Sequence, residues 1–510
     1  MVYGAALEMR FGGNPIEGSN PSLSASSPRT STRQVASSKN SSRQGIVQVC
    51  ACRSGLRIGS KECLMPAKRI SPAAALLVAL TLVFASASPV LAAVPDNQQQ
   101  LTTFDPAVNV DSCAGTSVST NPATGKTLLA FIQPDADATY DGMLVVGLLN
   151  ASGALAGSLV EVSTTIPSKA PDDCDVPWLA AGPDGSWLVT WPLDTEAPDA
   201  GIAGQIISST GSLVGVNFYI SDDYYTDFET VSAAWSATDA RYLVTWKASV
   251  DQRVSSLGAL ADQQVVGQFV SGTGSPISSN FLVTNFANGI NNNQDLAFGN
   301  GIWIAVSSEN GSTPKGQIIT AAGLQGPAFD LSSDVQNYRG PGVVYNPATE
   351  QFLATFWERN GEYTKHLRLL SGSGAPLGSD TVYVATGTRP RIGVAGAGGY
   401  VMTWNDNDDI RAQAFDATLQ VVGEQYQVSS DALSAFRPEL ACTEAGFVFT
   451  YWGNVSGVAN IYSNVVAGDC GYVLPATNRD DSVWTSTIVI LAGLTAAAGV
   501  SLVARGAKRA

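Results

Sequence analysis

His366 is the single histidine in 510 residues. A Ser-His-Asp relay needs a histidine that passes protons between a hydroxyl and a carboxylate. His366 instead lies in an alternating run, Tyr363-Thr-Lys-His-Leu-Arg-Leu, that reads as a β-strand, and it is expected on that strand's surface rather than in a catalytic role. Zinc sites need clustered His and Cys, and no such cluster occurs in the sequence. Two oxygen-rich segments stand out. Asn405, Asp406, Asn407, Asp408 and Asp409 alternate ligand oxygens as a Ca²⁺ loop does, without the Gly and distant Glu of an EF-hand; the competing reading is a solvated hairpin turn. Asp222, Asp223, Tyr224, Tyr225 and Asp227 mix carboxylates with stacking rings, as a sugar-binding loop or a turn between repeats would. Glycoside cleavage needs only two carboxylates, so composition leaves it open. No catalytic residue is singled out, and the expectation leans away from an enzyme.

The cysteines fit an oxidising compartment. Cys113, Cys174, Cys442 and Cys470 form an even set in the main body, while Cys50, Cys52 and Cys63 fall near the N-terminus. Cys113 and Cys174 hold equivalent places ahead of two successive repeats, and Cys442 and Cys470 share the last one. The expected pairs are Cys113–Cys174 and Cys442–Cys470, with Cys113–Cys470 as the rival that would staple the two ends together.

The elements that must position any site are repeats. Trp187-Leu-Val-Thr-Trp191, Tyr242-Leu-Val-Thr-Trp246 and Tyr400-Val-Met-Thr-Trp404 are the clearest copies. Weaker ones begin at Thr127, Trp303, Phe352 and Phe447. A Gly-Gln element follows in several copies (Gly204-Gln205, Gly267-Gln268, Gly316-Gln317, with Ala412-Gln413), then a turn, then a strand of the Phe218-Tyr-Ile-Ser type. Seven aromatic strands recur about every 50–60 residues, in the range of propeller blades. Four short antiparallel strands per copy predict an all-β, seven-bladed β-propeller over residues 101–470. A string of small β-sandwiches is the rival, and units so short would be marginal alone. The last repeat lacks an outer strand, and Leu101 to Val110 could supply it and remove an open edge.

Residues 93–478 carry 14 Lys plus Arg against 38 Asp plus Glu, a net charge of −24. Such a surface repels phosphate, which argues against nucleic acid. Met65 opens a short basic segment, an apolar core from Ala73 to Ala85 and small residues up to Ala92, the three parts of a secretory signal over 65–92 with cleavage at Ala92. Residues 1–64 read as disorder. Gly18-Ser19-Asn20-Pro21 can be written in codons matching a tRNA T-arm, so translation is expected to start at Met65. At the other end, Val483 to Ala504 is an uncharged stretch of membrane-spanning length, followed by a basic tail over 505–510 with Arg505, Lys508 and Arg509. Positive-inside logic puts that tail in the cytoplasm and the repeats outside.

Leu474, Pro475, Ala476, Thr477 and Asn478 precede this span, within a linker over 471–482. Motif, span and basic tail together resemble the LPxTG family of cell-wall sorting signals, with Asn478 where the last Gly normally stands. The resemblance implies a sortase that cuts after Thr477 and peptidoglycan as the acceptor, or a membrane-held helix if Asn478 blocks cleavage. The repeats themselves resemble a Trp and Gly-Gln repeat of large bacterial surface proteins, over roughly residues 105–467. The expected role is an exported, surface-anchored binding or adhesion module for an extracellular glycan or protein. Alternatives are a glycoside hydrolase or lyase with paired carboxylates and a structural envelope protein. No cofactor is expected beyond the Ca²⁺ reading.

Overall fold

The computed structural model describes residues 97–470 except 105–114, 134–140, 167, 170–175, 194–200, 222–229, 249–252, 255–257, 260–262, 287–289, 310–312, 335–337, 359–363 and 431–432. The expected leader, signal segment, Ala92, sorting motif (Leu474 to Asn478) and apolar span therefore lie outside the described residues. Among the described residues no helix is long and apolar enough to cross a membrane.

All seven aromatic repeats form the second strand of a sheet: Thr127–Gln133, Trp187–Pro192, Arg241–Ala248, Ile302–Glu309, Gln351–Glu358, Tyr400–Asp406 and Gly446–Val455. Each pairs antiparallel with a first strand on its inner side: Thr116–Thr120, Trp178–Ala181, Val231–Ser236, Ile290–Gly299, Tyr338–Asn346, Thr388–Val394 and Ser434–Thr443. Third and fourth strands complete each sheet outward, so the chain makes seven blades in sequence order. The first strands pack side by side around a ring, and that of blade 7 meets that of blade 1.

The core sits between blades, not within them. Seven hydrophobic clusters form, one at each junction: Trp187 and Trp191 pack blade 2 onto blade 1, Trp246 packs blade 3 onto blade 2, and Phe131 and Trp452 close blade 1 onto blade 7. Both faces of every blade are thus buried, which no string of separate sandwiches would need.

The Gly-Gln element has a physical cause. In blades 2, 4 and 6 the fourth strand carries a bulge at a glycine of positive φ, Gly215, Gly326 and Gly423. The bulge breaks the ladder. The glutamine amide fills the gap: Gln205 Nε2 donates to Val214 O, Gln317 Nε2 to Gly326 O and Gln413 Nε2 to Val422 O, at 2.9, 3.2 and 3.0 Å. In blade 3 Gln268 makes the same bond to Ser278 O. The preceding glycine accepts the aromatic ring of the fourth strand. A Cβ at Gly204, Gly267 or Gly316 would stand 2.9, 3.0 or 2.4 Å from Phe218, Phe281 or Phe329.

The ring closes by strand exchange. Gln99–Gln100 pairs with Val458–Val466 and becomes the outer strand of blade 7. The pairing begins two residues earlier than expected. Gln98 Oε1 accepts from Tyr451 Oη and Ser430 N, and this tie fixes the register upstream of Leu101. Thr102 and Phe104 bond to Asn460, and the Phe104 ring stacks on Trp452 at 5.7 Å and meets Phe131 edge-on at 6.4 Å.

Candidate functional site

The seven first strands surround a central cavity of about 360 Å³, at the small end of the ~300–1,000 Å³ typical of ligand sites. Its wall can be read as levels, because register with the aromatic strands fixes which residues share a height. Opposite the fourth residue of each aromatic motif stand Ser117, Trp178, Ser232, Asp295, Gly342, Arg391 and Glu439. This polar level lies toward the face where chain enters each blade. Opposite the first residue, three consecutive blades present Trp235, Phe298 and Tyr345. Their rings rest on Tyr242, Trp303 and Phe352 of the second strands, at 4.6, 4.9 and 4.8 Å. All three are half-buried and line the cavity, as does Trp178.

The polar level ties blades together. Asp295 accepts from Ser232 Oγ of blade 3 (3.0 Å), from its neighbour Leu296 N (2.7 Å) and from Val343 N of blade 5 (2.9 Å). Burial pushes its carboxyl upward, against those hydrogen bonds and the charge of Arg391. Arg391 Nε donates to Glu439 Oε1 at 2.5 Å, joining blade 6 to blade 7. Burial raises the Glu439 carboxyl as well, opposed mainly by Arg391. Burial works against the Arg391 charge, and Glu439 outweighs it, so the guanidinium is held above its ordinary value. Elsewhere Ser117 Oγ accepts from Leu179 N, Trp178 Nε1 donates to Ala233 O, and Thr116 bonds Thr450.

Sequence reading missed this level entirely, although a signal was present. Gly340-Pro341, Arg389-Pro390 and Arg437-Pro438 repeat just before Gly342, Arg391 and Glu439. In each the residue before proline has positive φ (53°, 55° and 54°) and the strand register shifts there. Proline is tolerated because this edge borders the channel and pairs with no further strand. For Arg389 and Arg437 the left-handed backbone costs about 1–2 kcal/mol each.

The residues singled out in sequence fare differently. Asn405–Asp409 forms the tip of a hairpin, with Asp406 opposite Asp409 and Asn407 in the left-handed region. Asp406 accepts from Thr386 Oγ1, Asp408 from Ser434 Oγ, Asp409 from Arg411 and Gln427, and Asn405 from Arg437 N. This is the hairpin reading, with the oxygens engaged by protein donors. Among the described residues no group of three or more His, Cys, Asp or Glu is placed to hold a metal ion.

His366 corrects an expectation. It is buried, stacked on Phe356 at 5.2 Å and edge-on to Tyr338 at 5.1 Å. Its Nδ1 lies 2.6 Å from Asp380 Oδ2, and Nε2 lies 3.8 Å from Glu358 Oε2. The third strand is covered on both sides, so alternation did not mark an outer face. Cys442 and Cys470 are brought together, Cys442 Sγ donating to Cys470 O at 3.1 Å, but they are free thiols here rather than the expected bridge. Burial pushes the Cys470 thiol up to about 12, which disfavours the reactive thiolate. Cys113, Cys174 and the Asp222, Asp223, Tyr224, Tyr225 and Asp227 segment lie outside the described residues. In sequence that segment falls between blade 2 and blade 3.

No family model matches the chain, and no curated protein matches it in sequence. Solved structures do match in the course of the backbone. The WD40 domain of Toxoplasma gondii coronin is 9% identical, with a TM-score of 0.45, covering 76% of this chain and 87% of that one. The polysaccharide lyase Uly1 is 9% identical, with a TM-score of 0.44, covering 74% and 95%. A protein of unknown function from Dyadobacter fermentans is 10% identical, with a TM-score of 0.43, covering 57% and 93%. These are likenesses of fold. The chain is an all-β, seven-bladed propeller with four-stranded blades and a strand-exchange closure.

Proposed function

We propose that this propeller is an exported surface protein that binds an extracellular glycan in its central channel. The carrying observation is the half-buried aromatic wall of Trp178, Trp235, Phe298 and Tyr345, set beside a polar level in one cavity. Aromatic faces pack on the apolar faces of sugar rings, while a few fixed polar groups orient a small ligand. The address rests on the tail: Leu474 to Asn478, the apolar span and the basic end support sortase attachment to peptidoglycan, or retention by the helix.

Catalysis by paired carboxylates is the second reading, favoured by Asp295 and Glu439 lining one cavity with both carboxyls raised by burial. Their hydrogen bonding weighs against it. Both Asp295 oxygens hold neighbouring strands, and Glu439 is engaged by Arg391. A glycan array with the full chain and its Trp235→Ala variant tests the binding role. The expected outcome is a hit lost on substitution, with no cleavage of the bound glycan. A hit that survives Trp235→Ala moves the ligand elsewhere, and glycan cleavage abolished by Glu439→Gln replaces binding with catalysis. For the address, wall material released by muramidase should yield a C-terminal peptide ending at Thr477; an intact tail in the membrane fraction would exclude sorting.

A further inference from the structure

Among the described residues Arg391 is the one guanidinium lining the cavity, and most of its donors have no partner there. Its Nε donates to Glu439, the only side-chain hydrogen bond it makes among the described residues. The two Nη groups, a planar fork of N–H donors, make none among the described residues, and 23% of the side chain is exposed. Asp295 attracts the guanidinium through charge, and among the described residues its hydrogen bonds are accepted from Ser232, Leu296 and Val343 rather than from Arg391. Four of the nine arginines between residues 93 and 478, Arg339, Arg389, Arg391 and Arg437, stand on the first strands of blades 5, 6 and 7. Arg437 acts electrostatically on Glu439. Of the four, Arg391 lines the cavity, together with the carboxylates Asp295 and Glu439.

We infer that the channel ligand is an acidic saccharide, its carboxylate or sulfate received by the Nη fork of Arg391. The inference rests on the channel being a glycan site. An oxyanion matches a guanidinium fork in geometry and charge, while Trp178 at the same level and Trp235 deeper offer faces for the sugar ring. A neutral sugar would offer the fork no charge beyond that of Glu439 and Asp295.

The test is calorimetric titration of the full chain with three oligosaccharide sets: oligogalacturonate (carboxylate), carrageenan oligosaccharide (sulfate) and cello-oligosaccharide (neutral). One acidic set is expected to bind at least tenfold tighter than the neutral set, and to weaken as salt is raised. Arg391→Gln should remove about ten- to a hundredfold of that affinity, and Arg391→Lys should restore part of it. Because Arg391→Gln strands Glu439, the double variant Arg391→Gln with Glu439→Gln is measured beside it, with folding checked by thermal melting. Equal binding of acidic and neutral sets, lost in Trp235→Ala but kept in Arg391→Gln, overturns the acid-group inference and leaves the channel reading intact. No binding by any set, or binding untouched by both Trp235→Ala and Arg391→Gln, overturns both.

Discussion

Lys365 shows how far a single side chain can be drawn from its ordinary behaviour. It is fully buried on the third strand of blade 5, where Nζ donates to the carbonyls of Ala385, Thr386 and Gly387 at 2.9, 2.8 and 3.2 Å and lies over Trp404 at 5.0 Å. Burial lowers the ammonium to about 7, with Asp406 opposing. In the unfolded chain it titrates near ~10.4. Between these values the unfolded chain holds a proton that the folded one releases, so stability rises with pH across that window. From pH 7 to 9 the gain is about 2 kcal/mol. Urea unfolding of the wild type should show that rise, and Lys365→Met should be less stable but lack this part of the slope. Parallel pH profiles would sink the assignment. None of this was legible in Tyr363-Thr-Lys-His-Leu-Arg-Leu. Alternation identified the strand, but Lys365 and neighbouring His366 are both buried because a blade has a neighbour on each side. A pattern that separates core from water has no purchase where neither face meets water.

At the level of the element, the sequence announced a repeated Gly-Gln without its reason. The reason lies across the sheet, in a bulged fourth strand whose carbonyl needs a donor, and pattern reading along one strand does not reach it. The assignment makes two linked predictions. Gln413→Ala leaves the half-buried Val422 carbonyl without its side-chain partner, at a cost of about 1 kcal/mol. Gly316→Ala drives a methyl into the tip of the Phe329 ring and should cost about 1–3 kcal/mol. Adding Phe329→Leu to Gly316→Ala should recover part of that loss, because the atoms nearest the new methyl all belong to that ring. Denaturant midpoints measure all three, and a double variant no better than the single would mean that glycine serves the backbone alone. Blade 6 already tolerates Ala412 at the equivalent place, facing Tyr426 across the ladder. The Arg-Pro bulges were harder still to read. Their spacing is regular, but their use is to set the channel edge, and an edge without a pairing partner leaves no periodic trace.

At the level of the whole molecule, the blade count was legible because seven aromatic strands each had to be buried on two faces. The channel chemistry was not, because Asp295, Arg391 and Glu439 lie far apart in sequence and meet only through the curvature of the ring. Closure is the property to break. With every core shared between neighbours, a ring opened at one junction exposes the cluster of blades 7 and 1, where Phe104 is wedged between Trp452 and Phe131. Phe104→Ala should remove about 2–3 kcal/mol, below the ~3–5 of a fully buried ring because Phe104 is half-exposed. Gln99→Ala should cost little, since its ladder bonds are backbone ones and its side chain bonds only Asn97 O at the surface. Both variants should unfold in one transition with an unchanged denaturant slope, as cores shared around a ring require. A second transition in Phe104→Ala would mean that the last blade detaches by itself and that its core is its own. Equal stability of Phe104→Ala and the wild type would mean that the ring is held shut elsewhere, by the Thr116–Thr450 bond and the packing of first strands rather than by the exchanged strand.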